Sequence, residues 1–118
     1  MKRILFALVI MTALGMSCAD MFREPFYVRV DNRSDKAIDA SFAVSFVNVQ
    51  PGECTNFIDA GEISTAGTSK YAIIISEHGV SYNYNFGEYE ARGGREYTIV
   101  FIGPSLNQYH AYITSNDR

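Results

Sequence analysis

After residue 25, apolar and polar residues alternate along most of the chain. Every second residue is apolar from Phe26 to Val30, with tyrosine or arginine between them. A period of two predicts a strand that buries one face in a core. Residues 97–102 are apolar at nearly every position, as expected for a central strand covered on both faces. The alternation recurs in residues 38–46, 70–76, 80–86 and 109–113.

Turn-forming residues separate these segments. Pro-Gly, Gly-Gly and Gly-Pro pairs stand at positions 51–52, 93–94 and 103–104, and such pairs mark turns between strands. The period slips near Phe46, which indicates a bulge or a break. A short strand is expected over Cys54–Ala60 and is expected to end at Gly61. The predicted fold class is all-β, an Ig-like antiparallel β-sandwich of about seven strands.

Tyr97 offers a more specific prediction. It lies three residues after Gly94, at the start of the most apolar strand. In immunoglobulin-like sandwiches, a tyrosine at such a corner hydrogen-bonds to backbone upstream; the alternative is an ordinary strand tyrosine. The chain has no Trp and no cysteine pair suited to joining two sheets. "Ig-like" is therefore meant in the loose sense of the architecture.

The first seventeen residues have the three-part layout of a secretory signal peptide. Lys2 and Arg3 supply positive charge, residues 4–14 are apolar except for Thr12, and small residues follow. This stretch of eleven residues is too short for a membrane span, which needs ~20. We therefore divide the chain into a signal peptide with a lipobox-like end (1–17), a tether (18–25) and a β-sandwich domain (26–118).

Cys18 is the predicted lipidation site. The segment from Leu14 to Cys18 resembles the lipobox of bacterial lipoproteins, whose cysteine receives a lipid when the leader is cut before it. Ser17 fits that pattern, whereas Leu14 stands four residues before the cysteine instead of three. The alternative is cleavage after Ala19, which would give a soluble secreted or periplasmic protein. In both cases Cys54 is a single thiol that can simply be buried.

Charge limits the classes of partner. Without the leader, eight basic residues face thirteen acidic ones, a net charge of −5. Such a surface repels phosphate backbones, so no nucleic-acid partner is expected. The expected partners are a membrane, through lipid on Cys18, and envelope proteins or glycans. No cofactor is expected.

Several short motifs together resemble a bacterial envelope family. They include VRVDNRS at residues 28–34, GEIS at 61–64 and GREYTIV at 94–100. The family is the domain-of-unknown-function 4397 type, and the chain departs from it in Asn32-Arg33-Ser34 and in a long segment at 42–55. The resemblance implies a secreted or lipid-anchored β-sandwich in the bacterial cell envelope. It implies no catalytic residue.

Late-chain aromatic residues form the candidate ligand-binding set. Tyrosines with amide side chains suit saccharide stacking and also protein interfaces. Tyr109 and Tyr112 have opposite strand parity, so one of them should face outward. The candidate set consists of Tyr89, Tyr109, Tyr112 and Asn107.

Tyr82 and Tyr84 have a competing interpretation. They share strand parity with Phe86. We expect all three side chains to fill the core while Asn83 and Asn85 face water.

Metal chemistry has weak support in the sequence. His78 and His110 are far apart, and we expect both to be exposed and idle. Four oxygen-bearing residues around one turn could hold calcium, although turn-forming Asx hydrogen bonds explain them more simply. That cluster consists of Asp31, Asn32, Asp35 and Asp39.

No nucleophile motif is present, so the chain is not expected to be an enzyme. The predicted function is a non-enzymatic, lipid-anchored cell-envelope protein with a structural, adhesive or partner-binding sandwich. An alternative is a carbohydrate-binding module that uses the late tyrosines. A further alternative is a small secreted hydrolase built on paired carboxylates.

Overall fold

A computed structural model of the protein describes residues 22–105 and 108–117. Within these residues the chain forms eight β-strands and no helix, which confirms the all-β prediction and adds one strand to the expected number. In chain order the strands are β1 (Arg23–Ser34), β2 (Ile38–Phe42), β3 (Val44–Val49), β4 (Ile58–Ser64), β5 (Ser69–Glu77), β6 (Asn83–Ala91), β7 (Arg95–Ser105) and β8 (Gln108–Asp117).

The strands form two four-stranded sheets. The first sheet has the order β4-β1-β7-β8 and the second has the order β3-β2-β5-β6. All neighbours are antiparallel except β1 and β7, which run parallel from Tyr27↔Glu96 to Ser34↔Gly103. The expectation of a wholly antiparallel sandwich is therefore wrong. A period of two fixes which face of a strand is buried, but it carries no information about the direction of the neighbouring strand.

The core lies between the inner faces of the two sheets. The inner residues of β1 and β7 alternate as predicted, and Phe26, Val28 and Ile99 are all almost wholly buried. On the outer face of β7, Thr98 and Val100 are also buried, because β7 lies between β1 and β8. The central position predicted for this strand is confirmed.

The second sheet begins with a tight hairpin that the sequence pattern does not reveal. Ala43 has a positive φ of 64°, and the chain reverses there so that Phe42 pairs with Val44. The predicted slip near Phe46 is confirmed as an irregularity, since the pairing shifts between Ile38 and Ala40 and Asn48 has a φ of 56°.

Three strand ends differ from expectation. The Gly103-Pro104 pair, predicted as a turn, lies inside β7 (Arg95–Ser105). Gly61 lies inside β4 with a φ of 112°, so the prediction that it ends the strand is wrong. Glycine tolerates this conformation, and the strand continues to a buried Ile63. The first strand begins at Arg23, which pairs with Ser64, so the last residues of the stretch interpreted as a tether belong to the sheet.

Tyr97 forms the predicted corner. Its hydroxyl accepts a hydrogen bond from the backbone N–H of Arg92 at 2.7 Å. The ring is 2% exposed and lies edge-on to Phe26, with the ring centroids 6.1 Å apart. The bond fixes the turn into β7, and the prediction that this hydroxyl binds upstream backbone is confirmed.

Candidate functional site

Five aromatic rings form a continuous row from the core to the surface, and we call this row the aromatic end. Phe101 stacks on Tyr109, with centroids 5.4 Å apart and an interplanar angle of 2°. Phe86 lies edge-on to Phe101 at 6.0 Å, and Tyr84 follows at 6.3 Å from Phe86. Tyr82 packs edge-on against Tyr84 at 4.9 Å. The row joins β6 of one sheet to β7 and β8 of the other.

Exposure increases along this row. Phe101 is buried and Phe86 is half-buried, whereas Tyr84 is 48% exposed and Tyr82 is 63% exposed. Val80, two residues before Tyr82, is 47% exposed. The expectation that Tyr82 and Tyr84 fill the core is wrong. Tyr84 lies at the start of the edge strand β6, and Tyr82 comes just before that strand. Phe86 packs against Phe101 of the opposite sheet, whereas Tyr84 only borders the cleft beside Phe101 and Tyr109.

A small cleft of about 60 Å³ opens beside Tyr84 and Tyr109. Its floor is apolar, and its rim carries an ion pair between Lys36 Nζ and Glu77 Oε2 at 3.5 Å. Exposed aromatic rings beside charged groups can stack on a ligand while the charged groups bind its polar atoms. The lining consists of Lys36, Ile38, Ile75, Ser76, Glu77, Tyr84, Phe101 and Tyr109.

Tyr109 is held at the edge of this cleft by Asp35. Its hydroxyl donates a hydrogen bond to Asp35 Oδ1 at 2.9 Å. Partial burial raises the pKa of the Tyr109 phenol, and the carboxylates of Asp35 and Glu77 raise it further. The phenol therefore keeps its proton and remains a hydrogen-bond donor.

The three described residues of the predicted ligand-binding set do not lie together. Tyr109 belongs to the aromatic end, whereas Tyr112 is 44% exposed on the opposite face of β8. The prediction that one of these two tyrosines faces outward is confirmed. Tyr89 lies at the other end of the strand pair, edge-on to Tyr97 at 6.1 Å. Asn107 lies outside the described residues, as does the proposed lipidation site Cys18.

Tyr89 lines a separate, shallow groove of about 430 Å³. Arg92 and Arg95 stand in this groove with Glu88 and Glu90, so its charges are mixed. Arg95 also lies 3.4 Å from Asp117. Tyr89 is 36% exposed in this groove, less than the 48% of Tyr84 and the 63% of Tyr82 at the aromatic end.

The acidic turn between β1 and β2 is organised by Asn32. This side chain is wholly buried, donates to the carbonyls of Lys36 and Val49 at 2.8 and 2.9 Å, and accepts from the backbone N–H of Ser34 at 3.0 Å. Asp31 pairs with Arg33 at 2.9 Å. The Asx-turn interpretation is thereby confirmed for Asn32.

The calcium hypothesis gains no support from this turn. Residues 22–105 and 108–117 contain no group of three or more His, Cys, Asp or Glu that could hold a metal. Asp39, the last member of the cluster, binds His78 Nδ1 at 2.9 Å and accepts from the backbone N–H of Asn48 at 2.8 Å. Partial desolvation acts to raise the pKa of Asp39, but the hydrogen bonds from Asn48 and His78 outweigh it, and the pKa is lowered.

Two predictions about single residues are wrong. His78 is exposed as expected, but it is not idle, because it pairs with Asp39. Cys54 is exposed instead of buried; it lies in the segment between β3 and β4, where its backbone forms an isolated bridge with Asp31. His110 is exposed on the edge strand β8, as predicted.

The sequence pattern identified Tyr109 as a candidate but missed that Tyr82 and Tyr84 are exposed beside it. The period of two placed Tyr84 on the inner face correctly, but it could not show that this face is uncovered at the strand's start. The contributions of Asp35, Lys36 and Glu77 had no local signal, since they come from loops and strand ends far apart in the chain.

Comparison with known proteins adds no relative. No protein-family model matches the chain, and none of the curated proteins matches its sequence. Within the described part of the chain, no helix is long and apolar enough to cross a membrane.

Proposed function

We propose that the protein is a non-catalytic, lipid-anchored module of the bacterial cell envelope that binds a ligand through its aromatic end. The observation that carries this proposal is the exposure of Tyr82 and Tyr84 beside the cleft. Exposed apolar side chains that adjoin one another mark binding sites more often than isolated ones do. Tyrosine is also enriched where proteins bind partners.

The anchoring part of the proposal depends on the first eighteen residues of the sequence. Several acyl chains attached at Cys18 would hold the domain durably at a membrane, whereas one chain alone binds marginally. We expect Cys18→Ser to move the protein from the membrane fraction to the soluble fraction. Cys54→Ser is the matched control, since it removes the other thiol, and it should leave the distribution unchanged. Equal membrane retention of both variants would contradict lipid anchoring.

An Ig-like relationship is part of the proposal. Its support is the corner bond of Tyr97 and the arrangement of eight strands in two four-stranded sheets. The resemblance to the domain-of-unknown-function 4397 type agrees with a secreted or anchored sandwich of this kind.

The first candidate for the ligand is a protein partner. A carbohydrate is the second candidate, and one observation favours it. Tyr84 offers an exposed ring directly beside Lys36 and Glu77. Lys36 can donate hydrogen bonds to sugar hydroxyls, and Glu77 can accept hydrogen bonds from them. Stacking on tyrosine with charged groups at the rim is the combination expected for saccharide recognition.

A glycan array probed with the purified protein separates these two candidates. If a saccharide is the ligand, Tyr84→Ala should lower binding by about tenfold, the loss expected for one aromatic contact. Tyr112→Ala is the control, because this equally aromatic and exposed residue lies on the opposite face. Binding that is lost in the Tyr112 variant but retained in the Tyr84 variant would place the saccharide site elsewhere. Absence of glycan binding, with protein partners captured through Tyr84, would favour the first candidate.

A further inference from the structure

The strand β8 (Gln108–Asp117) forms one edge of its sheet. It pairs with β7 on one side, in an unbroken register from Arg95↔Asp117 to Ile102↔His110. Among the described strands none pairs with its other side. About half of its backbone N–H and C=O groups therefore point away from the sheet along a straight edge.

The other three edge strands carry features that oppose strand addition. Each has a break in its pairing and a residue with positive φ, namely Asn48 in β3, Gly61 in β4 and Gly87 in β6. The strand β6 also exposes Glu88 and Glu90. Bulges and charges of this kind are the usual protection against edge-to-edge pairing.

The edge β8 has fewer of these protections. Its pairing with β7 also shifts, between Ile102 and Ser105, but the extra residue lies in β7 and not in β8. The sequence of β8, QYHAYITSND, contains no glycine, proline, lysine or arginine, and its one acidic residue, Asp117, stands at the end. Its side chains alternate between half-buried and exposed from Gln108 to Asn116. Its tyrosine, isoleucine and threonine residues favour strand pairing.

We infer that two copies of this chain associate through antiparallel pairing of their β8 strands, which joins the two β4-β1-β7-β8 sheets into one continuous sheet. Tyr109 belongs to both β8 and the aromatic end, but its side chain lies on the face of β8 opposite to Tyr112 and Thr114. Charges introduced at Tyr112 and Thr114 therefore test strand pairing separately from ligand binding.

The alternation of β8 restricts how the two copies can pair. Directly opposed residues must lie on the same sheet face, so an even-numbered residue faces another even-numbered residue. The two registers that pair all but one residue of β8 place Tyr112 opposite either its own counterpart or Thr114 of the second copy. His110 then meets Thr114 or Asn116. Neither register opposes two like charges.

Pairing would also cover Tyr112, which is 44% exposed in the single chain. Cross-strand pairs of aromatic or β-branched residues stabilise a sheet, whereas like charges directly opposite one another destabilise it. Tyr112 and Thr114 lie on the exposed face of β8. Like charges at these two positions should therefore weaken association of two copies, and opposite charges should favour it.

The test is co-purification of two differently tagged full-length copies expressed together. Wild-type copies should co-purify. Copies that both carry Tyr112→Lys and Thr114→Lys should co-purify at least about tenfold less, because lysines face lysines in either register. Pairing that double-lysine copy with one carrying Tyr112→Glu and Thr114→Glu should restore association.

A variant with Val47→Lys is the control, since it adds charge to a 70% exposed apolar residue of the other sheet and should still co-purify. Circular dichroism of each variant shows that it is folded. The inference is overturned if wild-type copies do not co-purify, or if the double-lysine copies still do. It is also overturned if the mixed lysine and glutamate copies stay apart, or if Val47→Lys alone abolishes association.

Discussion

Replacing Asn32 by Asp tests whether the buried amide holds the turn between β1 and β2. The change preserves shape, so it creates no cavity. It replaces Nδ2, which donates to the carbonyls of Lys36 and Val49 at 2.8 and 2.9 Å, with an oxygen that cannot donate when ionised. Oδ1, which accepts from Ser34, is unchanged.

The expected loss follows from these contacts. Leaving a buried polar group unsatisfied costs about 1–3 kcal/mol, and two carbonyls are affected. Burial of the new negative charge adds to the cost of the two unsatisfied carbonyls. Folding should therefore raise the pKa of the introduced carboxyl and favour its protonated form. We expect a loss of about 3–5 kcal/mol at pH 7, a large part of the ~5–15 kcal/mol typical of a domain.

Urea unfolding at pH 7 and at acidic pH measures this effect. The pKa of the introduced carboxyl is expected to be higher in the folded state than in the unfolded state. The loss should therefore be complete above the folded pKa and should shrink as the pH falls toward ~4. Asn85→Asp is the control, because exposed Asn85 only accepts a hydrogen bond, from Gly87 N–H, and Asp can do the same. A cost below about 1 kcal/mol for the Asn32 variant, or one that does not depend on pH, would refute the reasoning.

Three further predictions concern stability. Tyr97→Phe removes the corner hydrogen bond and should lower the free energy of unfolding by about 1 kcal/mol in urea titration; an unchanged midpoint would contradict this role. Gly93→Ala places a methyl group against backbone carbonyls and should cost at least ~2 kcal/mol, whereas Gly67→Ala, with open space around it, should stay within about 0.5 kcal/mol. Thermal melts of both alanine variants check this, and equal shifts would be evidence against it. Asp39 has a lowered pKa when folded, so its contribution is present at neutral pH and lost as the pH falls through that pKa. The stability difference between wild type and Asp39→Asn should therefore vanish in acid, and a difference that persists at pH 2 would contradict it.

The sequence was most informative where one strand face is fully covered. The alternation in β1 and β8 predicted the correct inward-facing positions. Successive side chains of a strand point to opposite faces, so one set contacts the core and the other contacts water. The corner at Tyr97 was also predictable, because the glycine, the tyrosine and the apolar strand all lie within a few residues of one another.

The alternation of apolar and polar residues did not reveal the turn at Ala43, because the alternation continues unchanged through it. The hairpin at Ala43 pairs Phe42 with Val44, so both residues keep the parity of a single continuous strand. The parallel pairing of β1 and β7 has no local signal either, since it depends on how the chain passes between the two sheets.

The candidate site was less predictable than the fold. Tyr109 was recognised as a candidate, but its partner Asp35 lies seventy-four residues away in the sequence. Whether Tyr84 is covered depends on where the opposite sheet ends. That is a tertiary property, which composition and spacing do not determine.

The central claim is that this sandwich works as an anchored binding module outside the cytoplasm, and intact-mass analysis of the native protein tests it most directly. The account predicts that the membrane fraction contains a chain beginning at Cys18 whose mass is increased by attached lipid. A chain that retains Met1 in a cytosolic extract, or an unmodified chain that begins at Asp20 in the soluble fraction, would contradict it.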